Sequence, residues 1–82
     1  MSRTTVLPIQ RVMADATPKA WRDGIVVETR PADLVVAFFD GGVTRLRVAD
    51  ADALASVGDP VAHHPVAEIL SVGERTTTAR VA

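Results

Sequence analysis

Few side chains in this 82-residue chain could do chemistry, and most of them sit between positions 40 and 71. His63 and His64 are its two histidines and stand next to each other. On an extended segment adjacent side chains leave opposite faces, so the two rings do not converge on one ion, and the absence of cysteine removes any thiolate ligand. The pair is expected to face solvent ahead of Pro65 and to respond to pH, with no metal and no other cofactor bound. Ser71, His64 and Asp59 can be written down as a nucleophilic triad, but Ser71 lacks the strand-to-helix elbow that makes such a serine reactive. Asp50 and Asp52 sit where the start of a helix needs a capping carboxylate. Gly41 and Gly42 lie outside any phosphate-cradling glycine pattern. No catalytic machinery is expected, and no small-molecule substrate is evident.

Composition narrows the class further. Nine basic against ten acidic side chains give a net charge of −1, which supplies no general positive field for nucleic acid or anionic membrane. The longest apolar run, residues 34–39, is far short of a membrane span, and residues 6–9 are too short and too interrupted for a signal sequence. A cytoplasmic protein is expected. A chain this small, without disulfides, supports one core and needs tight packing or association to be stable.

Turn chemistry sets out the elements. Residues 1–20 form an arm broken by Pro8 and Pro18, with a short edge strand or a helical turn at 9–14, and residues 21–82 form the domain. Strands are expected at 25–29, 34–39, 43–48, 66–72 and 75–81, with a short helix at 51–56 ended by Gly58 and an extended stretch after Asp59-Pro60. Arg30-Pro31-Ala32-Asp33, Asp40-Gly41-Gly42 and Gly73-Glu74 supply the turns. The expected fold is all-β: a small five-stranded barrel, SH3-like or alternatively OB-like, because closure removes the exposed edges of a small sheet.

Trp21-Arg22-Asp23-Gly24-Ile25-Val26-Val27, then residues 34–42 with their acidic, glycine-containing hairpin, Leu46, and the Leu54 to Val61 segment with its Gly58-Asp59, together resemble the Tudor and related SH3-like small barrels. The resemblance covers about two thirds of the chain and implies the fold. Tudor domains hold methylated lysine or arginine in a cage of aromatic rings. With no tyrosine, one tryptophan and two phenylalanines, this chain departs from that pattern, so methyl reading is not implied.

The remaining candidate is the central hairpin. A two-residue turn at Asp40-Gly41 or Gly41-Gly42 places Val35, Ala37 and Phe39 with Thr44, Leu46 and Val48 on the core side. Leu34, Val36 and Phe38 then share the outer face with Arg45 and Arg47, an apolar surface studded with arginine that suits a protein partner or a second copy. A three-residue loop with a bulge reverses that parity. If the face is not an interface, the N-terminal arm is expected to cover it. The functional expectation is a non-catalytic protein-binding or self-associating module: an adaptor, a regulatory or inhibitor protein, or a structural subunit. The alternative is a barrel that binds single-stranded nucleic acid through Phe38 and the two arginines.

Overall fold

A computed structural model describes residues 6–82. Among them, seven strands form one antiparallel sheet that curls into a small, nearly closed barrel. The strands are β1 (Arg22–Thr29), β2 (Asp33–Phe38), β3 (Val43–Arg47), β4 (Pro60–His64), β5 (Ile69–Val72), β6 (Arg75–Thr78) and β7 (Arg80–Val81). A helix, α1 (Pro8–Ala16), and a 3-10 turn (Pro18–Ala20) precede the sheet, and a short helix, α2 (Ala51–Leu54), connects β3 to β4. None of these helices is long and apolar enough to cross a membrane.

The strand order is β6-β5-β4-β1-β2-β3-β7. The two ends of this sheet are consecutive in the chain, joined by Ala79 alone, so one bent segment pairs with β5 on one side and with β3 on the other. Ala79 is fully buried and donates its N–H to the Glu68 carbonyl at 2.8 Å, which fixes the bend. Strand β1 carries a bulge at Val27, between the pairs Val26↔Val36 and Glu28↔Val35. The extra residue bends β1 where the sheet must turn. Gly24 leaves no room for a side chain between β1 and β2: a Cβ there would lie 2.7 Å from the Ala37 carbonyl oxygen and 2.8 Å from Val36 Cγ1.

The all-β barrel is as expected, but the strand count is seven and not five. The extended stretch after Asp59 is a full strand, because it pairs with both β1 and β5. The strand expected at 66–72 starts only at Ile69, since residues 65–68 form a turn in which Glu68 takes a left-handed φ of 59°. The last expected strand is divided at Ala79 by the closure itself. The Pro31 and Gly73-Glu74 turns lie where the sequence put them, closed by Arg30 N–H to the Asp33 carbonyl and by the Val72↔Arg75 pair.

The central hairpin has the other parity. Phe38 N–H donates to the Gly42 carbonyl and Gly41 N–H to the Phe38 carbonyl, which leaves a three-residue loop of Phe39, Asp40 and Gly41, with Gly41 and Gly42 at φ of 114° and 89°. The pairs are therefore Leu34↔Leu46, Val35↔Arg45, Val36↔Thr44 and Ala37↔Val43. Leu34, Val36 and Phe38 point into the barrel with Leu46 and Val48, where they join Val26, Val61 and Leu70 in the core. The outer face instead carries Val35, Ala37, Phe39, Val43, Arg45 and Arg47.

A second, smaller apolar cluster lies outside the barrel, where Ala14 of α1 and Trp21 pack on Ala67 and Ile69. Gln10 secures that docking, donating from Nε2 to the carbonyls of Ala67 (3.0 Å) and Glu68 (3.3 Å), while its Oε1 accepts the Leu7 N–H at 2.8 Å. Residues 1–5 of the arm lie outside the described residues; the rest has the helical turn at 9–14 that its sequence allows, extended to nine residues, and packs beside β5 and β6, away from the central hairpin. Asp50 occupies the position before α2, but in a left-handed conformation and with no side-chain bond to the helix amides. Its expected capping role is not realised.

Two substitutions test the packing. Gly24→Ala forces β1 away from β2 and is expected to lower stability by about 2 kcal/mol. Thr77 is buried, its Oγ1 has no hydrogen-bond partner among the described residues, and Thr77→Val is expected to raise stability by about 1 kcal/mol. Chemical denaturation of the three proteins measures both.

Candidate functional site: the outer sheet face and its supports

Register builds the outer face. Pro60 pairs with Ile25, Ile25 with Ala37, and Ala37 with Val43, so four apolar residues from β4, β1, β2 and β3 stand in one row across the sheet. On one side of the row, Phe39 donates its N–H to the Asp23 carbonyl at 2.9 Å and leaves its ring 68% exposed. On the other side lie Val27, Val35 and Arg45, with Arg47 opposite Asp33 at the next step. Val43 is 66% exposed and Val27 45% exposed. Together these side chains make a contiguous apolar strip that is partly open to solvent. Beside Phe39 the strip opens into a depression of about 310 Å³ walled by Asp23, Pro60, Ala62, Ser71 and Gly73.

Of the residues expected to form this surface, Arg45 and Arg47 lie on it. Leu34, Val36 and Phe38 do not: Leu34 and Val36 are completely buried and Phe38 is 5% exposed. The odd-length loop moves every β2 side chain to the side opposite the one a two-residue turn would give. The exposed phenylalanine is Phe39, one residue further on. Its sequence signal was the Asp40-Gly41-Gly42 run, where a glycine following the turn allows the left-handed step of a three-residue loop as readily as a two-residue turn.

An ion pair holds the loop in place. Arg22 donates from Nε to Asp40 Oδ2 and from Nη2 to Asp40 Oδ1, both at 2.9 Å, and from Nη2 to the Gly41 carbonyl at 3.0 Å. The bonds to Arg22 hold the Asp40 carboxyl below the ordinary carboxylate range, and the same contact raises the guanidinium. The guanidinium carbon also lies 4.1 Å from the centre of the Phe38 ring. The ring's neighbour on the inner side is His63, with centroids 6.3 Å apart.

Both histidines are buried, His63 to 1% and His64 to 0% exposure, which corrects the expected solvent-facing pair. They do leave opposite faces of β4. His63 turns inward and its Nε2–H donates to the Ala79 carbonyl at 2.9 Å, so it ties β4 to the bend that closes the barrel. His64 turns outward under Trp21, whose ring meets it edge-on at 5.2 Å. The Ala67 N–H donates to His64 Nδ1 at 3.0 Å, which fixes the proton on Nε2, and that nitrogen donates to the Thr17 carbonyl at 2.8 Å. Both ring nitrogens of His64 are thereby engaged away from Ser71, and Asp59 Oδ2 accepts the Ser56 N–H, so the structure does not assemble Ser71, His64 and Asp59. No group of three or more metal-ligating side chains is found among the described residues.

No protein-family model matches the chain, and neither a curated protein nor a solved structure is found to be similar to it.

Burial, reinforced by the charge of Arg22 and by His64, lowers the His63 pKa from 6.5, against the opposing pull of the Ala79 carbonyl and Glu68. Well above pH 6.5 the ring is neutral folded or unfolded and contributes no slope. Below it the unfolded chain takes up a proton that the folded chain refuses, so stability falls with falling pH and levels off below the folded pKa. His63→Gln, which keeps a donor for Ala79, is expected to flatten this dependence between pH 7.5 and 5 by up to about 1.4 kcal/mol per pH unit. Urea denaturation across that range checks it.

Proposed function

We propose that the protein is a non-catalytic, cytoplasmic protein-binding module of the SH3-like or OB-like barrel kind, and that its partner sits on the outer face of β1, β2 and β3. The observation that carries this reading is the row of exposed Ile25, half-buried Ala37 and exposed Val43, with Phe39 standing beside a depression able to accept a partner's side chain. The strands hold these residues rigidly, so binding orders little that is not ordered already, and that lowers its entropic cost. Arg45 and Arg47 supply a polar rim with guanidinium groups free to fork to carboxylates. An adaptor or a subunit of a larger particle uses such a face. The return of β4 to β1, with α2 between β3 and β4, favours the OB-like arrangement of the two barrels.

Single-stranded nucleic acid is the second reading, now with Phe39 as the stacking ring beside Arg45 and Arg47. The acidic neighbours Asp23, Asp33 and Glu28 weigh against it.

Phe39→Asp is expected to abolish partner retention on the immobilised protein with the melting temperature unchanged, since the ring touches solvent. Phe38→Asp is expected to unfold the protein. Retention that persists from about 0.1 to 1 M salt marks a protein interface, whereas nucleic-acid binding weakens steeply over that range. Unimpaired retention by Phe39→Asp would rule the face out.

A further inference from the structure

A furrow crosses the outer side of the barrel at right angles to its strands. Its floor follows from register: Asp23 pairs with Ala62, Ala62 with Ser71, and Ser71 with Thr76, so these four side chains leave the same face in one row across β1, β4, β5 and β6. Ala62 and Ser71, in the middle of the row, are small and half-buried, and larger groups stand around them. Phe39 and Pro60 bound the β1 half, the depression of about 310 Å³. Trp21 and helix α1, through Arg11 and Asp15, bound the β6 half, a hollow of about 210 Å³. Ser71 lines both, so the halves meet over it. With neighbouring strands about 4.8 Å apart the row is about 14 Å long, the reach of about four residues of extended chain.

We propose that the furrow is a groove for an extended peptide of a partner protein, and that this peptide places a lysine or arginine in the half beside Phe39. The proposal rests on the reading of the protein as a protein-binding module and supplies the chemistry of the segment that module takes. Charge decides the occupant. Asp23 is the one ionisable group lining the depression, and the ion pairs found among the described residues, Arg22–Asp40, Arg30–Glu28 and Arg80–Glu68, leave it without a cation. A carboxylate beside an exposed aromatic ring suits a basic side chain, which lies against the ring, pairs with the carboxylate and runs its alkyl stem over Pro60 and Ala62. The adjoining hollow shares Pro60 and Gly73 and adds Asp59 and Glu74, while its Arg75 gives an Nη2 donor to the Leu54 carbonyl at 2.8 Å. An acidic or wholly apolar segment would cover Asp23 and leave its charge uncompensated.

The half beside α1 has another character. Arg11 and Asp15 carry opposite charges there, and Ser71 and Thr76 add hydroxyls. Arg11 gives an Nη2 donor to Thr76 Oγ1 at 3.2 Å and keeps further N–H groups. Donors and acceptors mixed in this way match a peptide main chain, which offers both an N–H and a carbonyl at each residue.

Titration of the full chain with five-residue alanine peptides, blocked at both ends and carrying lysine, norleucine or glutamate at the centre, reads the outcome. Amide NMR shifts report the site, and the emission of Trp21, the chain's one tryptophan, reports the α1 half. The lysine peptide is expected to bind with a Kd on the order of 1 mM and to shift Ala62, Ser71 and Thr76, and the other two peptides to bind at least about fivefold more weakly. Asp23→Asn is expected to remove that preference. Ser71→Leu, which fills the furrow where its halves meet, is expected to abolish binding, both variants keeping the parent's circular dichroism. Equal binding of the three peptides, no binding of the lysine peptide up to about 10 mM, a preference for lysine that survives Asp23→Asn, or a Ser71→Leu variant that binds as the parent does each overturns the proposal. Val43 stands on the sheet face outside the furrow, so Val43→Asp is expected to weaken partner retention and to leave the affinity for the lysine peptide unchanged. Partner retention that depends on Phe39, with no binding of the lysine peptide, overturns the furrow and leaves the module reading standing.

Discussion

Which side of β2 and β3 faces inward is decided by a loop of three residues, and most of the molecule depends on that choice. Phe39, Asp40 and Gly41 form an odd-length turn, which puts Leu34, Val36 and Phe38 beside Leu46 inside the barrel and leaves Phe39 outside. The Arg22 guanidinium enforces the geometry by gripping both oxygens of Asp40 and the Gly41 carbonyl. The same group covers one face of Phe38, so the start of β1, the tip of the hairpin and one end of the core are held through a single side chain. Because the pleat has a period of two, slipping this hairpin by one residue would expose the core side chains all at once.

Barrel closure explains how so small a chain retains a core. With three aromatic residues in 82, the interior is built mainly from valine, leucine and alanine, and a flat sheet of such residues would leave two long edges unpaired. The bend at Ala79 lets one segment satisfy both edges. His63 donates to the Ala79 carbonyl from the opposite side of the interior, and the Glu68 carbonyl accepts the Ala79 N–H. A buried polar side chain thus holds the one place where neither ladder continues through the backbone.

Much of this was legible in the residues. Alternation and turn chemistry gave the barrel class, the β1 to β3 meander, the Pro31 turn and the last hairpin, because each rests on local stereochemistry. Non-local effects were not legible. The 60–64 segment reads as irregular beside two prolines, and only its two partners make it a strand. The split at Ala79 exists because the sheet closes. His63 and His64 read as surface residues because nothing local shows that Trp21 and residue 17, more than forty positions away, will cover one of them. For the candidate surface, the sequence located the hairpin and two of its arginines, whereas the face of the apolar residues hung on loop length, which Gly41-Gly42 leaves open.

Helix α1 illustrates how a surface can be conditional on the completeness of a fold. Nine residues are too few for a helix to persist by itself in water. Its ordering depends on Gln10 reaching the 65–68 turn and Thr78, and on His64 holding the chain at Thr17. Those anchors are 47 to 68 positions away in sequence and reach their places only when β4, β5 and β6 have assembled. Before the barrel is complete, Ile9 and Val12 belong to no ordered surface, since the segment that carries them has nothing to hold it helical. The exposure of Ile9 and Val12 side by side is in that sense a property of the completed fold.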